Sequence, residues 1–360
     1  MAFYVDPDGL YGYSALLGQY AKDAEYLQRY LTNGDLGAWQ LAVHVPNSYA
    51  ANLVGTLHAY LLVRADARLG HMRRVANGSA EGLNSAGHFY VYTDRESAEK
   101  LEQYYPDTVN HYGVPDGSAK DPHVVFNVDE DAVVDLVTEA ERKDADDDLG
   151  IDLNFVQKEL DFWSNLLSPS HWVRKILKAG YGIDPVEEVM EFYFGNWEAW
   201  RDAAKAWRRC GTAVHHMWAF QAREYTHLAD YWRGRAQGAA EDHFATFAAA
   251  TEAEIDYYKS YLFDGYRSIA EHLFEVHQIV SQCINIILDL AIPLGWAGLT
   301  RLFIKGGEAL ELIEHALNLI AQTLGLAKEG LEERARPLFK EEPPCRMESI
   351  VVYDHPEKKW

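Results

Sequence analysis

Apolar residues recur every three to four positions over most of this chain, which predicts a protein built almost wholly from α-helices. No proline stands between Val186 and Ile292, the longest such stretch, and proline inside a helix costs about 3 kcal/mol. The expected fold class is all-α: long antiparallel helical hairpins form an elongated four-helix-type bundle, with an acidic irregular insert and extra C-terminal helices.

The first predicted hairpin spans residues 1–105. Val5-Asp6-Pro7 supplies a cap residue followed by proline at the first helical position. Asn33-Gly34-Asp35 ends the first helix, and Pro46-Asn47-Ser48 precedes the second. Each helix carries an apolar stripe that predicts face-to-face packing, formed by Leu10, Leu16, Leu17, Tyr20, Ala24, Leu27 and Leu31 in the first and by Leu53, Leu57, Tyr60, Leu61, Ala65, Leu69, Met72 and Val75 in the second.

Residues 106–181 form the predicted acidic insert. Its first 45 residues, 106–150, contain 13 acidic and 3 basic side chains, which is typical of a solvated linker. A short strand at His123–Val128 and a helix at Asp131–Ala140 are expected within it. The run Asp144–Asp148 resembles the start of a calcium loop, but phenylalanine stands at position 155 where glutamate would close the loop, so an exposed acidic face is preferred.

The second predicted hairpin spans residues 182–290 and begins after Gly182-Ile183-Asp184-Pro185. Asp230–Gly234 interrupts the helical pattern and marks the turn, after which apolar residues recur from Phe244 to Ile287. The first helix carries a seam at steps of three and four that is typical of long antiparallel helices. It consists of Trp197, Trp200, Ala204, Trp207, Gly211, Val214 and Trp218.

Beyond the second hairpin, residues 291–336 are predicted to form apolar C-terminal helices and residues 337–360 a polar, frayed tail. The stretch Ile279–Ile304 is long enough to cross a membrane, but it contains Asp289 and Arg301. A charge near the centre of a span costs roughly 3 kcal/mol or more. A buried or interfacial helix pair is therefore preferred, and a membrane contact through 279–304 stays open.

Composition narrows the classes of function. The formal net charge of −22 excludes a general nucleic-acid binder, because phosphates would repel the chain. Three cysteines, Cys210, Cys283 and Cys345, are too few for a disulfide framework or a zinc site, although one bridge stays open. The first eight residues lack the basic and apolar regions of a cleavable secretory signal.

Motifs for catalysis are sparse. The chain has no glycine-rich phosphate loop, no Gly-x-Ser-x-Gly and no His-Glu-x-x-His. Glu224-Tyr225-Thr226-His227 is a single copy of the Glu-x-x-His spacing that di-iron bundles use twice. We therefore expect no catalytic residue, no metal and no cofactor, and keep a helical-bundle metalloenzyme around Glu224 and His227 as the alternative.

Two short patterns stand at the ends of the predicted hairpins. Trp232-Arg233-Gly234 lies at the turn of the second, where glycine allows a backbone conformation that other residues resist. Tyr90 and Asp94 lie at the end of the first, and residues four apart share one face of a helix. The candidate binding residues are thus Tyr90, Asp94, Trp232 and Gly234, and the tyrosine and aspartate are expected to form a small exposed patch.

This arrangement resembles type VII secretion substrates of actinobacteria, above all the EspB-type proteins in which PE-like and PPE-like halves are fused. Residues 182–198 resemble the lead-in to the hairpin of longer WXG-motif proteins, and Val5-Asp6-Pro7 with Leu10 and Ala15 resembles the start of EspC-like proteins. The resemblance implies a secreted, non-enzymatic protein that is exported folded. It also implies that Tyr90, Asp94, Trp232 and Gly234 form a bipartite export signal for the secretion ATPase.

The partners implied are the secretion ATPase and its machinery. A small WXG-family partner or chaperone, a homo-oligomer and pairing of each hairpin with a separate protein stay open. The delivery part of a polymorphic toxin is a further alternative, although only 23 residues follow Pro337.

Overall fold

The structure is a computed structural model that describes residues 4–33, 49–93, 121–126, 129–144, 197–291 and 308–354. The described chain is predominantly helical, so the predicted all-α class is confirmed. Its elements are β1 (Tyr4–Val5), α1 (Pro7–Asn33), α2 (Tyr49–Tyr92), α3 (Pro122–Val125), α4 (Ala132–Asp144), α5 (Trp197–Glu224), a 3-10 turn (Tyr225–His227), α6 (Leu228–Tyr231), β2 (Trp232–Arg233), α7 (Arg235–Asp256), a π-helical turn (Tyr257–Leu262), α8 (Phe263–Ala291), α9 (Glu308–Lys340) and a 3-10 turn (Arg346–Ser349).

The first two long helices, α1 and α2, pack antiparallel. α1 begins at Pro7, and the preceding Asp6 carboxylate accepts the backbone N–H of Asp8 at 3.1 Å. Near the start of α1, the Ser14 hydroxyl donates to the Ala80 carbonyl of α2 at 2.8 Å. Near its end, Gln28 donates to the Asp66 carboxylate at 2.9 Å. The described side chains of both predicted apolar stripes are buried between the helices, except Tyr60 of α2, which is 42% exposed and for which the prediction is wrong. The side chain of Leu53 lies outside the described part of the chain.

The second pair consists of α5 and the continuous helix formed by α7, the π-helical turn and α8. Gln221 near the end of α5 donates to the Phe244 carbonyl at 3.0 Å. Earlier in α5, the Trp207 ring packs on Tyr258 and Tyr266 at centroid distances of 6.2 and 5.9 Å. Later residues of α5 thus contact earlier residues of the long helix, so this pair is antiparallel as well.

The two pairs pack on each other through one contiguous core. Tyr20 of α1 shares a hydrogen bond of 2.9 Å with Thr251 of α7. On the α2 side, Tyr258 donates to the Ala65 carbonyl at 3.0 Å. α9 lies outside this bundle and antiparallel to α8, where His272 lies 3.0 Å from the Ala327 carbonyl.

The acidic insert differs from its prediction where the structure describes it. Residues 122–125 form the helical turn α3 rather than a strand, while the expected helix is present as α4. Phe126, Val133 and Val137 are buried in the bundle core, so this part of the insert is packed rather than solvated. A few apolar residues anchor it despite the high local charge. Residues 94–120, 127–128 and 145–196, including most of the calcium-like acidic run, lie outside the described residues.

The C-terminal residues were predicted to fray, and that prediction is wrong for 337–354. α9 continues through Pro337 to Lys340, and residues Glu341–Asp354, here called the C-terminal strap, follow without regular structure apart from the 3-10 turn Arg346–Ser349. Met347 and Tyr353 of the strap are buried. Hydrogen bonds and ion pairs to α2 and ring contacts with α7 hold the strap in place.

Two further expectations concern membranes and cysteines. No helix among the described residues is long and apolar enough to cross a membrane, and residues 292–307 of the apolar stretch lie outside the described residues.

All three cysteines are free. Cys210 and Cys283 are buried, and Cys345 on the strap is partly exposed, so the bridge left open by the sequence is not formed.

Candidate recognition site at one end of the bundle

A two-stranded pairing joins the N-terminus to the turn of the second hairpin. β1 and β2 are antiparallel, with Val5 opposite Trp232 and Tyr4 opposite Arg233. The backbone N–H of Asp6 also donates to the Tyr231 carbonyl at 2.6 Å. The turn is thereby fixed against the start of α1.

The two aromatic residues singled out in the sequence meet at this end. The Tyr90 and Trp232 rings lie 5.9 Å apart between centroids and are inclined at 64°, an edge-to-face geometry that aromatic pairs prefer. Tyr90 is 8% exposed and Trp232 is fully buried. The expected exposed patch is therefore wrong for Tyr90, which continues the buried stripe of Leu83 and Ala86 on α2. Asp94 lies outside the described residues.

Gly234 makes the transition from β2 into α7. Its φ of 157° and ψ of −173° fall in a backbone region that is accessible essentially to glycine alone. The predicted need for glycine at this turn thus has a specific geometric cause. The residue also directs the chain so that Trp232 enters the core while α7 starts along the bundle.

We expect Gly234→Ala to lower the free energy of unfolding by about 1–3 kcal/mol, because a Cβ makes this conformation strained. The matched control is Gly18→Ala in α1, where an added Cβ meets nothing within 4 Å and alanine should stabilise the helix by about 0.5–1 kcal/mol. Urea denaturation followed by circular dichroism measures both. Equal effects of the two substitutions would contradict the assignment of strain to Gly234.

The turn is closely packed where α1 approaches it, and exposed aromatic residues occur nearby in the chain. A Cβ at Gly9 would lie 2.2 Å from the Cβ of Tyr231, so α1 approaches the turn through a glycine. Val91 and Tyr92 follow the buried Tyr90, and Tyr92 is 85% exposed. Tyr4 is exposed as well. Exposed aromatic side chains thus lie two residues beyond Tyr90 on α2 and opposite Arg233 in the strand pairing.

The alternative metal site is not supported by the described residues. Glu224 is buried and paired with Arg223, whereas the ring of His227 faces Asp230 at 3.3 Å. No group of three or more histidine, cysteine, aspartate or glutamate side chains within the described ranges is arranged to hold a metal ion. Glu224 and His227 therefore have separate partners.

A small pocket lies between α1, α5 and the turn before α4. It encloses about 20 Å³, the room of one water-sized group. Asp23, Asp129 and His216 line it together with apolar side chains. Burial raises the pKa of Asp23 to about 6, although a hydrogen bond from Gln19 opposes the shift. Burial lowers the pKa of His216.

Comparison with protein-family models, with curated proteins and with solved structures finds no match. The paired rings at the turn join one residue from each of the two patterns that the sequence singled out. Sequence patterns indicated both rings. The sequence patterns did not predict the pairing of β1 with β2. Each strand has only two residues, which is too short to show the alternation of apolar and polar residues that indicates a strand.

Proposed function

We propose that this chain is a secreted, non-enzymatic substrate or effector scaffold of a type VII secretion system, exported in its folded state. Tyr90, Asp94, Trp232 and Gly234 are its proposed recognition residues, and the secretion ATPase is the proposed partner. The protein then acts outside the cell or at the cell surface through contacts with other proteins.

The observation that supports this proposal is the contact between the Tyr90 and Trp232 rings. The two residues belong to different hairpins, yet their centroids are 5.9 Å apart at one end of the bundle. A signal built this way exists only when both hairpins have folded and packed. That dependence fits a substrate that is recognised after folding, because an unfolded chain would keep the two halves apart.

The burial of both rings suggests a division of roles. Trp232 is out of reach of a partner, so its proposed role is to position the turn and the end of α2. The partner would contact exposed residues at the end of α2, such as Tyr92. The hairpins also bury their apolar faces against each other, which favours packing within the chain over pairing of each hairpin with a separate small protein.

Export of single-residue variants tests the proposal. We expect Trp232→Phe and Tyr90→Leu to lower the ratio of protein in culture filtrate to protein in the cell pellet about two- to tenfold, since weakening or losing the aromatic pair removes about 0.5–1.5 kcal/mol of local order. Trp207→Phe and Tyr30→Leu are matched controls, because Trp207 is fully buried and Tyr30 is 8% exposed. Circular dichroism establishes that all four variants fold.

Two outcomes would contradict the proposal. Export of the parent protein that does not change when the secretion ATPase is deleted would remove the type VII system from consideration. If export falls equally in the controls and in the two turn variants, the loss reflects lower stability and not recognition at this end.

A further inference from the structure

The C-terminal strap is attached to the bundle at two separate polar anchors, and the first is Glu342. Its carboxylate accepts two hydrogen bonds from Arg64 Nε at 3.0 and 3.1 Å, one from Arg68 at 3.3 Å and one from the Tyr60 hydroxyl at 3.1 Å. Tyr60, predicted to lie in the apolar stripe of α2, thus holds the strap at the surface. Arg68 also donates to the Pro343 carbonyl.

The second anchor lies further along the strap at Tyr353. Its backbone N–H donates to Ser79 Oγ at 3.1 Å, and the same oxygen lies 3.0 Å from Nε2 of His243 on α7. Because Ser79 Oγ accepts the amide proton, its own proton is available for an unprotonated His243. The Tyr353 ring covers His243 and Phe244 at centroid distances of 5.7 Å each.

The bundle surface is shaped for this segment. A Cβ at Gly78 would lie 2.4 Å from a methyl group of Val352, and a Cβ at Gly82 would lie 2.3 Å from the Tyr353 carbonyl oxygen. The strap therefore lies directly on the α2 backbone. Between the anchors, Met347 is fully buried. The groove between α2 and α7 is closed only while the strap occupies it.

His243 has no charged partner for a proton among the described residues that act on it. Burial is the sole cause that lowers its pKa, from 6.5 to about 4. α2 presents Ser79 to the ring and the strap presents Tyr353. The nearest acids along the chain are the exposed Asp242 on α7 and Asp354 after Tyr353. A proton on His243 would thus be desolvated under the Tyr353 ring.

We propose that the C-terminal strap is an acid-released latch, in which protonation of His243 detaches Tyr353 from Ser79 and opens the groove between α2 and α7. The latch does not depend on the proposed export function. It adds a conformational switch to the bundle, and the open state presents the apolar and arginine-bearing groove to solvent.

The direction of the pH dependence follows from linkage. A group whose pKa is lower in the closed state stabilises closure fully only above its ordinary pKa, and here that value is 6.5. As the pH falls from 6.5 toward 4, the open state binds a proton that the closed state rejects. The open-to-closed ratio therefore rises about tenfold between pH 7.5 and pH 5.5.

Cys345 provides a reporter within the strap. It is partly exposed, whereas Cys210 and Cys283 are buried in the bundle. The rate at which 2,2′-dipyridyl disulfide modifies each cysteine of the full chain is measured by mass spectrometry from pH 7.5 to pH 5.0. Dividing the Cys345 rate by the rate for a synthetic peptide of residues 341–354 at the same pH removes the intrinsic pH dependence of the thiol.

We expect the normalised Cys345 rate to rise about tenfold from pH 7.5 to pH 5.5, while Cys210 and Cys283 stay unreactive. His243→Gln and His243→Phe should both abolish the rise, and the second keeps an aromatic ring beside Phe244. His272→Gln, on α8, is the matched control and should retain it.

Three results would overturn the latch: no rise in the parent protein, a rise of the same size in both His243 variants, or parallel exposure of Cys210 and Cys283. The last result would mean that acid unfolds the whole bundle rather than releasing the strap.

Discussion

Arg68→Met is expected to lower the free energy of unfolding by about 3–5 kcal/mol, because it leaves the charge of Glu254 buried without a partner. The Arg68 guanidinium lies 2.8 and 3.1 Å from the two Glu254 carboxylate oxygens. The two side chains are 2% and 0% exposed. Burial raises the pKa of Glu254 even though the neighbouring Arg68 opposes the shift, so the carboxylate depends on this pairing for its charge. Urea denaturation followed by circular dichroism measures the change.

Two controls separate the buried pair from the surface contacts of the same region. Arg64→Met removes a half-exposed partner of Glu342 and should cost about 1 kcal/mol or less. The double variant Arg68→Met/Glu254→Leu replaces both charges by apolar groups and should recover most of the loss. A double variant as unstable as the single one would show that the loss comes from the strap contacts of Arg68 and not from the unpaired Glu254.

Trp207→Ala is the second substitution with a large expected effect, about 3–5 kcal/mol of unfolding free energy. Trp207 is fully buried and packs on Tyr258 and Tyr266, both from the long helix opposite. Its removal leaves a cavity where α5 meets the π-helical turn, and closely packed rings on both sides limit how far the site can collapse. Thermal and urea unfolding of the two proteins measure the difference.

Trp218→Ala is the matched control on the same helix. Trp218 belongs to the same predicted seam but is only partly buried, and its ring contacts His215 at a centroid distance of 5.5 Å. We expect Trp218→Ala to lower the free energy of unfolding by about 1 kcal/mol or less, as is usual for substitutions outside the core. If Trp218→Ala lowers the free energy of unfolding as much as Trp207→Ala, the two tryptophans of the seam are not buried to different extents as the structure has them.

Much of the helical architecture could be predicted from local patterns. The proline start of α1, its end at Asn33 and the break before β2 coincide with observed boundaries, since caps, proline and glycine act on the backbone within a few residues. Trp200 and Trp207 are buried as the seam indicated. The contact of Tyr90 with Trp232 could only be suggested, because each residue signals a helix end and neither carries information about the other.

The sequence by itself determined the helices, their apolar faces and the turn at Gly234, because these depend on periodicity and on backbone preferences of neighbouring residues. The tertiary structure decided which polar groups are buried. Ser79, His243 and Arg68 appear as ordinary helical residues, and the strap appears as a polar tail, until folding brings Tyr353 to Ser79 and Glu342 to Arg68. These contacts join residues more than 270 positions apart, and no local pattern encodes such pairing. Such hydrogen bonds are strengthened by the low dielectric of the protein interior, which exists only once the bundle has excluded water.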